Sequence, residues 1–340
     1  MRIHKRKSRC FLHKHPFSIL AAVLCAILLW AAVPCPISAV GSVDTARPSV
    51  NGRLRVEGSR LADAAGKAVQ LRGVSTHGLT WYPDYLDEGL FRQLSEDWNC
   101  NMIRLAMYSA VYCGGEQEES DALMRKGIEA AIAADMYVLV DWHILEDADP
   151  NQNLDEAAAF FDRIAGEYAE CPNLLFEICN EPNGETDWGD VIQYSEAVIP
   201  VIRKHIPDAV IVVGTPEYDR NLGGALLRPL SFDNVLYVLH FYAASHHDGL
   251  RGELRAAVDA GLPVFISECG ICESDGDGRI DFSSAAEWFR YLNENKISYA
   301  VWSLSDKDES SAFFKPGFDP SGPIRDEDLT DSGLWVREVI

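Results

Sequence analysis

The sequence predicts an α/β protein of the (β/α)8 TIM-barrel class, one catalytic domain with a small N-terminal β-hairpin. Three observations carry that prediction. Eight short apolar runs of strand character recur along residues 51–340, helical patterns separate them, and polar or aromatic residues collect where each run ends. A doubly wound sheet shares the alternation, but no Gly-x-Gly-x-x-Gly follows an early strand to hold a dinucleotide. The chain has 340 residues, 47% of them hydrophobic, enough for a large core. No break in composition divides it.

The elements follow in order. Arg2, Lys5, Arg6, Lys7 and Arg9 form a basic start, Phe17 to Val33 carries no charge, and Pro34 and Pro36 end the apolar run. Residues 1–40 are thus a signal peptide, with Ile37-Ser38-Ala39 before a cut, or an uncleaved membrane anchor through residues 17–33. The expected location is extracellular, free or tethered at the cell surface. Residues 41–50 form a polar linker, and 51–340 the catalytic domain. Leu54-Arg55-Val56 and Arg60-Leu61 flank Glu57-Gly58-Ser59, a hairpin able to plug one end of a barrel.

The strands are then Val69–Val74, Asn101–Ala106, Met136–Asp141, Leu174–Ile178, Val210–Val213, Val235–Leu239, Val264–Ile266 and Ala300–Leu304. Leu90, Leu94 and Trp98 repeat at helical spacing, as do Ile192, Val198, Ile199 and Ile202. Ser284-x-x-Glu287 reads as a capping box before Trp288, Tyr291 and Leu292. These stripes are core packing.

Charge excludes one class of partner. Residues 41–340 carry 24 Lys/Arg against 52 Asp/Glu, so a phosphate backbone is repelled and no nucleic acid is expected. A neutral sugar polymer meets no such barrier. Of nine cysteines, six lie beyond the leader: Cys100, Cys113, Cys171, Cys179, Cys269 and Cys272. Export permits disulfides, but buried free thiols explain Cys100 and Cys179 equally well. Cys269-x-x-Cys272 has neither a thioredoxin-like context nor the second pair that zinc needs.

The strand ends carry the chemistry. Glu181 and Glu268 each close an apolar strand, where a charge is costly unless a site uses it. Placed on strands four and seven, they face each other across the barrel mouth. Two opposed carboxylates are the minimum machinery of glycoside hydrolysis: one protonates the leaving oxygen, the other attacks the anomeric carbon or activates water. Arg104 can hold Glu268 ionised, Tyr242 can donate to it, and His240 can tune Glu181. Asn180 can bind a sugar 2-hydroxyl, and Trp81 and Trp302 offer flat faces for sugar rings.

These residues resemble glycoside hydrolase family 5, in particular its bacterial endo-β-1,4-glucanases. The resemblance covers about residues 50–340. It rests on Gly73–Tyr82, Arg104-Leu105-Ala106-Met107-Tyr108, Asp141-Trp142-His143, Asn180-Glu181-Pro182-Asn183-Gly184, Leu239-His240-Phe241-Tyr242, Ile266-Ser267-Glu268 and Trp302–Ser311, all in order. It implies a retaining double displacement with Glu181 as acid/base and Glu268 as nucleophile. Arg104, His143, Asn180, His240, Tyr242 and Trp302 match the family's other active-site positions. His77, Trp81, Tyr108, Lys307 and Glu309 match positions lining the sugar subsites. No metal or organic cofactor is implied, and neither is an obligate protein partner; a monomer is the default. Two departures stand out. Cys269 replaces a common Trp after the nucleophile and is expected to point away from substrate. Tyr218 replaces a common Trp after strand five, so stacking there is retained.

A mannanase, xyloglucanase or mixed-linkage glucanase shares this chemistry and differs in a few loop residues. A sugar-binding protein on a dead scaffold predicts a missing carboxylate, and both are present. A metal-dependent hydrolase built on His77, His143 and His240 lacks close ligand spacing. No binding module follows the barrel in this sequence, so soluble or amorphous β-glucan is the expected substrate.

Overall fold

The computed structural model describes residues 45–340. The leader expected over 1–40, and the first part of the expected linker, lie outside the described residues. Eight parallel strands form the barrel: β1 (Arg72–Thr76), β2 (Met102–Tyr108), β3 (Tyr137–His143), β4 (Leu174–Glu177), β5 (Ile211–Val213), β6 (Val235–Val238), β7 (Val264–Gly270) and β8 (Tyr299–Leu304). Each pairs with the next, and β8 pairs with β1, which closes the ring. A helix follows every strand: α1 (Glu88–Asp97), α2 (Gln117–Ala133), α3 (Leu154–Glu167), α4 (Trp188–Arg203), α5 (Gly223–Leu227), α6 (Asp248–Asp259), α7 (Phe282–Asn295) and α8 (Asp331–Val339).

Strand parity explains the layering. Along β2, Ile103, Leu105 and Met107 pack outward against the helices, while Met102 points to the axis. Along β3, Val138, Val140 and Trp142 go outward, and Tyr137 and Leu139 inward. The inward positions start apolar and end charged: Met102 then Arg104, Leu139 then Asp141, Leu175 then Glu177. The axis is therefore oily at the strand starts and ionic toward the strand ends. The strands also run past the apolar runs, because pairing continues through polar inward residues, as in Ala106 with Asp141 and Tyr108 with His143.

The hairpin forms as expected, Arg55–Glu57 against Arg60–Ala62. Its Leu54 and Leu61 join the axial cluster with Leu139, Leu236 and Phe265, so it floors the barrel. Residues 45–50 differ from the linker reading. The Arg47 guanidinium donates to the carbonyls of Ser95 at 2.8 Å and Cys100 at 3.0 Å. Pro48–Asn51 makes one helical turn, and Ser49 bonds Asp135 at 2.6 Å. A polar segment looks the same in sequence whether its donors meet water or a neighbouring carbonyl. Asp281, not Ser284, caps α7: it accepts from the Ser284 amide, and the Ser284 hydroxyl serves Arg251 instead. All six cysteines of the described residues are free, including Cys269 and Cys272.

Candidate active site

The site assembles around one cation. Arg104, in mid-β2, is 0% exposed. Its guanidinium reaches Glu177 at 2.7 Å, Glu268 at 2.9 Å and Asp141 at 3.0 Å, and donates to Asn180 Oδ1 at 2.7 Å. Buried ions persist only when paired and hydrogen-bonded, and here one planar fork serves three carboxylates. Tyr242 donates to the other oxygen of Glu268 at 2.8 Å.

Glu268 reaches the axis through an irregularity. The β7–β8 register shifts between Ile266 and Cys269. Ser267 and Glu268, neighbours in sequence, both face inward: Ser267 bonds Glu177 and His240, and Glu268 bonds Arg104. Cys269 then returns to the helix-facing core, away from the mouth. Such bulges recur beside active sites because they re-aim a side chain without ending the strand.

Glu181 sits just beyond β4 with φ at 32°, in the left-handed region. Its amide donates to Asp219 Oδ2 at 2.8 Å, which holds that conformation. Its carboxyl lies 3.0 Å from His240 Nδ1. Burial raises Glu181 above the usual carboxylate range, while His143, Arg104 and Arg220 pull against it. Burial also pushes His143 and His240 down to about 4, so both imidazoles are neutral near pH 7. Asp141 is pushed up to about 8 by burial, with Arg104 opposing, and bonds His143 Nδ1 at 2.7 Å.

Rings line one side of the mouth, above β1, β2 and β8. Trp81 lies 4.4 Å from Tyr108 between centroids, His77 lies 5.0 Å from Trp302, and His143 and Trp302 stack at 5.6 Å. Trp81 is 51% exposed, a free face for a ring. Lys307 pairs with Glu309 at 2.6 Å. Across the mouth, beyond β5 and β6, a cleft of about 210 Å³ is lined by Glu181, Tyr218, Arg220, His240, Tyr242, His246 and Ser274. Tyr218 is 43% exposed there. Glu217, Tyr218 and Asp219 form a left-handed run with φ of 62°, 61° and 55°. The run turns Tyr218 outward and Asp219 into the interior.

The sequence-derived residues thus divide into three groups. Glu181, Glu268, Arg104, His143, Asn180, His240 and Tyr242 form one hydrogen-bonded network, and His77, Trp81, Tyr108 and Trp302 form the ring layer beside it. Lys307 with Glu309, and Tyr218, lie at the rims. Sequence reasoning did not single out Glu177, Asp219, Ser267 or Arg220. A charge inside the apolar run Leu174–Ile178 was the available signal for Glu177. Two acidic groupings with His240, Glu177–Asp219 and Glu181–Glu268, bring ligand-type atoms within 4.8 Å of one another. Glu177 and Glu268, one in each grouping, already accept from Arg104.

Comparison with known proteins agrees with this geometry. The family description "Cellulase (glycosyl hydrolase family 5)" matches residues 62–308. Endoglucanase A of Butyrivibrio fibrisolvens is 45% identical over 296 residues, 85% of this chain and 68% of that protein. An endoglucanase of Clostridium saccharobutylicum is 37% identical over 300 residues, 87% of this chain and 67% of that protein. The chain thus spans about two thirds of the length of these curated relatives. The crystal structure of the catalytic domain of a Thermobifida fusca endoglucanase, in complex with cellotetraose, superposes with a TM-score of 0.82 at 40% identity. That match covers 86% of this chain and 99% of the other. The barrel, its opposed carboxylates and these relatives lead to one conclusion: the chain belongs to glycosyl hydrolase family 5, the cellulase family, and is a glycoside hydrolase.

Proposed function

We propose that the protein is an exported endo-β-1,4-glucanase that cleaves with retention of anomeric configuration, using Glu268 as nucleophile and Glu181 as acid/base. The observation that carries this reading is the distance between the two carboxyls. Their oxygens come within 4.8 Å of each other. Retaining enzymes keep the carboxyl groups about 5–5.5 Å apart so that one attacks directly, and a nearest-oxygen contact of this size fits such a pair.

The electrostatics support the division of labour. Arg104 and Tyr242 each donate to one oxygen of Glu268, which fixes the orientation of the group that must attack. Burial raises Glu181, which favours the protonated form that an acid must start from. In the first step Glu268 bonds the anomeric carbon as the glycosidic bond breaks, and the leaving oxygen takes the Glu181 proton. In the second, Glu181 takes a proton from water, water oxygen bonds the anomeric carbon, and Glu268 is released. Ring faces on both sides of the carboxyls support cleavage within a chain. The cellotetraose carried by the Thermobifida fusca relative supports a β-1,4-glucan as substrate. A monomer is the proposed working unit. Export rests on the basic and apolar pattern of residues 1–40.

The test pairs the protein with Glu268→Ala on carboxymethylcellulose, mixed-linkage glucan, glucomannan, xyloglucan and mannan, counting reducing ends. NMR of the first anomer released reads the stereochemistry. Release from the cellulosic polymers as the β-anomer, lost in the variant, supports the reading. The α-anomer would sink retention, and preference for mannan would reassign the substrate. N-terminal sequencing of protein recovered from the culture medium tests export.

A further inference from the structure

The protons around His240 can be counted. Ser267 Oγ lies 2.6 Å from Glu177 Oε1 and 2.9 Å from His240 Nε2. Glu177 accepts from Arg104 on both oxygens, Nε to Oε2 at 2.7 Å and Nη2 to Oε1 at 3.2 Å. Burial raises Glu177, but a two-point guanidinium grip selects the ionised form, which offers only lone pairs. Ser267 therefore gives its one proton to Glu177. Its oxygen then accepts from His240 Nε2, which must carry a hydrogen. Asp219 Oδ2 lies 3.5 Å from the same nitrogen, too far to set its proton, and accepts instead from the Glu181 amide. A neutral imidazole has a single N–H, so Nδ1 is bare. Glu181 Oε1, 3.0 Å from that bare nitrogen, is then the donor.

We propose that Ser267 and Glu177 are positioning residues that lock His240 in its Nε2–H tautomer, and that this tautomer keeps the proton on Glu181 until the leaving group takes it. The proposal rests on Glu181 being the acid/base. Neither positioning residue touches substrate; both are fully buried. No proton travels along the chain of bonds. Its effect is a preset one: when Glu181 gives up its proton, its carboxylate faces the Nδ1 lone pair. That repulsion raises its affinity for a proton and suits it to act as base on water. Burial, which holds His240 down to about 4, is consistent with the neutral ring. The charged or titratable groups facing His240 are Glu181, Asp219, Glu177, Glu268, Arg104 and His143, and Glu181 also faces Arg220.

Two variants act on the tautomer differently. Ser267→Ala removes the acceptor at Nε2. Glu177→Gln can turn an N–H toward Ser267, which then donates to Nε2 and moves the ring proton to Nδ1, where it favours an ionised Glu181. The readouts are the pH profile of kcat/KM on a neutral cello-oligosaccharide and the ratio of rates on two aryl β-cellobiosides. Phenyl cellobioside needs a proton to leave, and the 2,4-dinitrophenyl compound does not. For both variants the basic limb is expected to move toward acid by about one pH unit, equivalent to about a tenfold change in proton affinity. The phenyl rate should fall about 10- to 100-fold more than the dinitrophenyl rate. An unmoved basic limb with both aryl rates falling together would mean packing alone and would overturn the proposal. Ser267→Thr, which keeps the hydroxyl, should restore the limb.

Should the variants fail to fold, ¹⁵N NMR of histidine in the unaltered protein reads the tautomer directly. A protonated Nε2 and bare Nδ1 on His240 support the proposal, and the reverse overturns it. Glu181→Gln separates this failure from failure of the proposed function. If that change leaves the phenyl to dinitrophenyl ratio untouched, the acid/base assignment itself falls, whatever the tautomer.

Discussion

Arg104 Nη1 donates to Glu268 Oε2 at 2.9 Å from a guanidinium that has no exposure of its own. The same group holds Glu177 and Asp141, so three carboxylates depend on one fork of donors. A lysine at this position keeps the charge but has no planar fork to reach all three. Arg104→Lys should therefore cost about 3–5 kcal/mol of stability, the range for breaking a buried pair, together with most of the activity. Thermal unfolding decides: a melting temperature equal to the parent's would show that the three carboxylates do not need the fork.

Arg220 gives a pH prediction of opposite sign to the Ser267 variant. Its positive charge pulls Glu181 downward against burial. Removing a cation favours the neutral carboxyl, so the proton stays on Glu181 to higher pH. In Arg220→Gln the basic limb of kcat/KM should move toward alkali. The move should be a few tenths of a unit, because Arg220 is half-buried and solvent screens it. A shift toward acid would contradict the charge argument.

The aromatic faces should act on binding more than on chemistry. Trp81 and Tyr218 are exposed on opposite sides of the carboxyls, and neither hydrogen-bonds to Glu181 or Glu268. Losing one ring contact of about 1–1.5 kcal/mol corresponds to roughly a tenfold weakening. Trp81→Ala and Tyr218→Ala should each raise KM by about that factor on cello-oligosaccharides and lower kcat far less. An equal loss in kcat alone would move these residues into the chemical step.

Gly73 is required by a close approach of backbones. A Cβ there would lie 2.0 Å from the Met102 carbonyl oxygen, on the neighbouring strand that β1 must pair with. Gly73→Ala should abolish soluble folded protein. Gly114→Ala, where a Cβ meets nothing within 4 Å, is the control and should leave expression unchanged. Recovery of both variants at parental levels would contradict the clash.

Much of the fold was legible because a barrel repeats. Eight apolar runs survive as eight strands, and Leu54 and Leu61 of the hairpin go where their apolar character sends them. The site was legible at Glu181, Glu268, Arg104, His240 and Tyr242, since charged and hydroxylated residues at the ends of buried strands have few other uses. Residues 45–50 and the α7 cap were misread for a shared reason. A short polar side chain declares no partner in sequence, and Arg47 and Ser284 found theirs in segments far along the chain.

The sequence by itself determined the class of fold, the family and the two carboxylates, because those follow from residue type and period. The tertiary structure decided how the carboxylates are served. A register shift in β7 turns Ser267 and Glu268 inward together, so that one meets Glu177 and the other Arg104. A left-handed run at Glu217–Asp219 brings a carboxylate beneath the amide of Glu181. Neither event is periodic. Both depend on which strand lies beside which: closing a ring of eight strands pairs Leu304 with Thr76, 228 positions apart, and brings Glu268 to Arg104, 164 positions away.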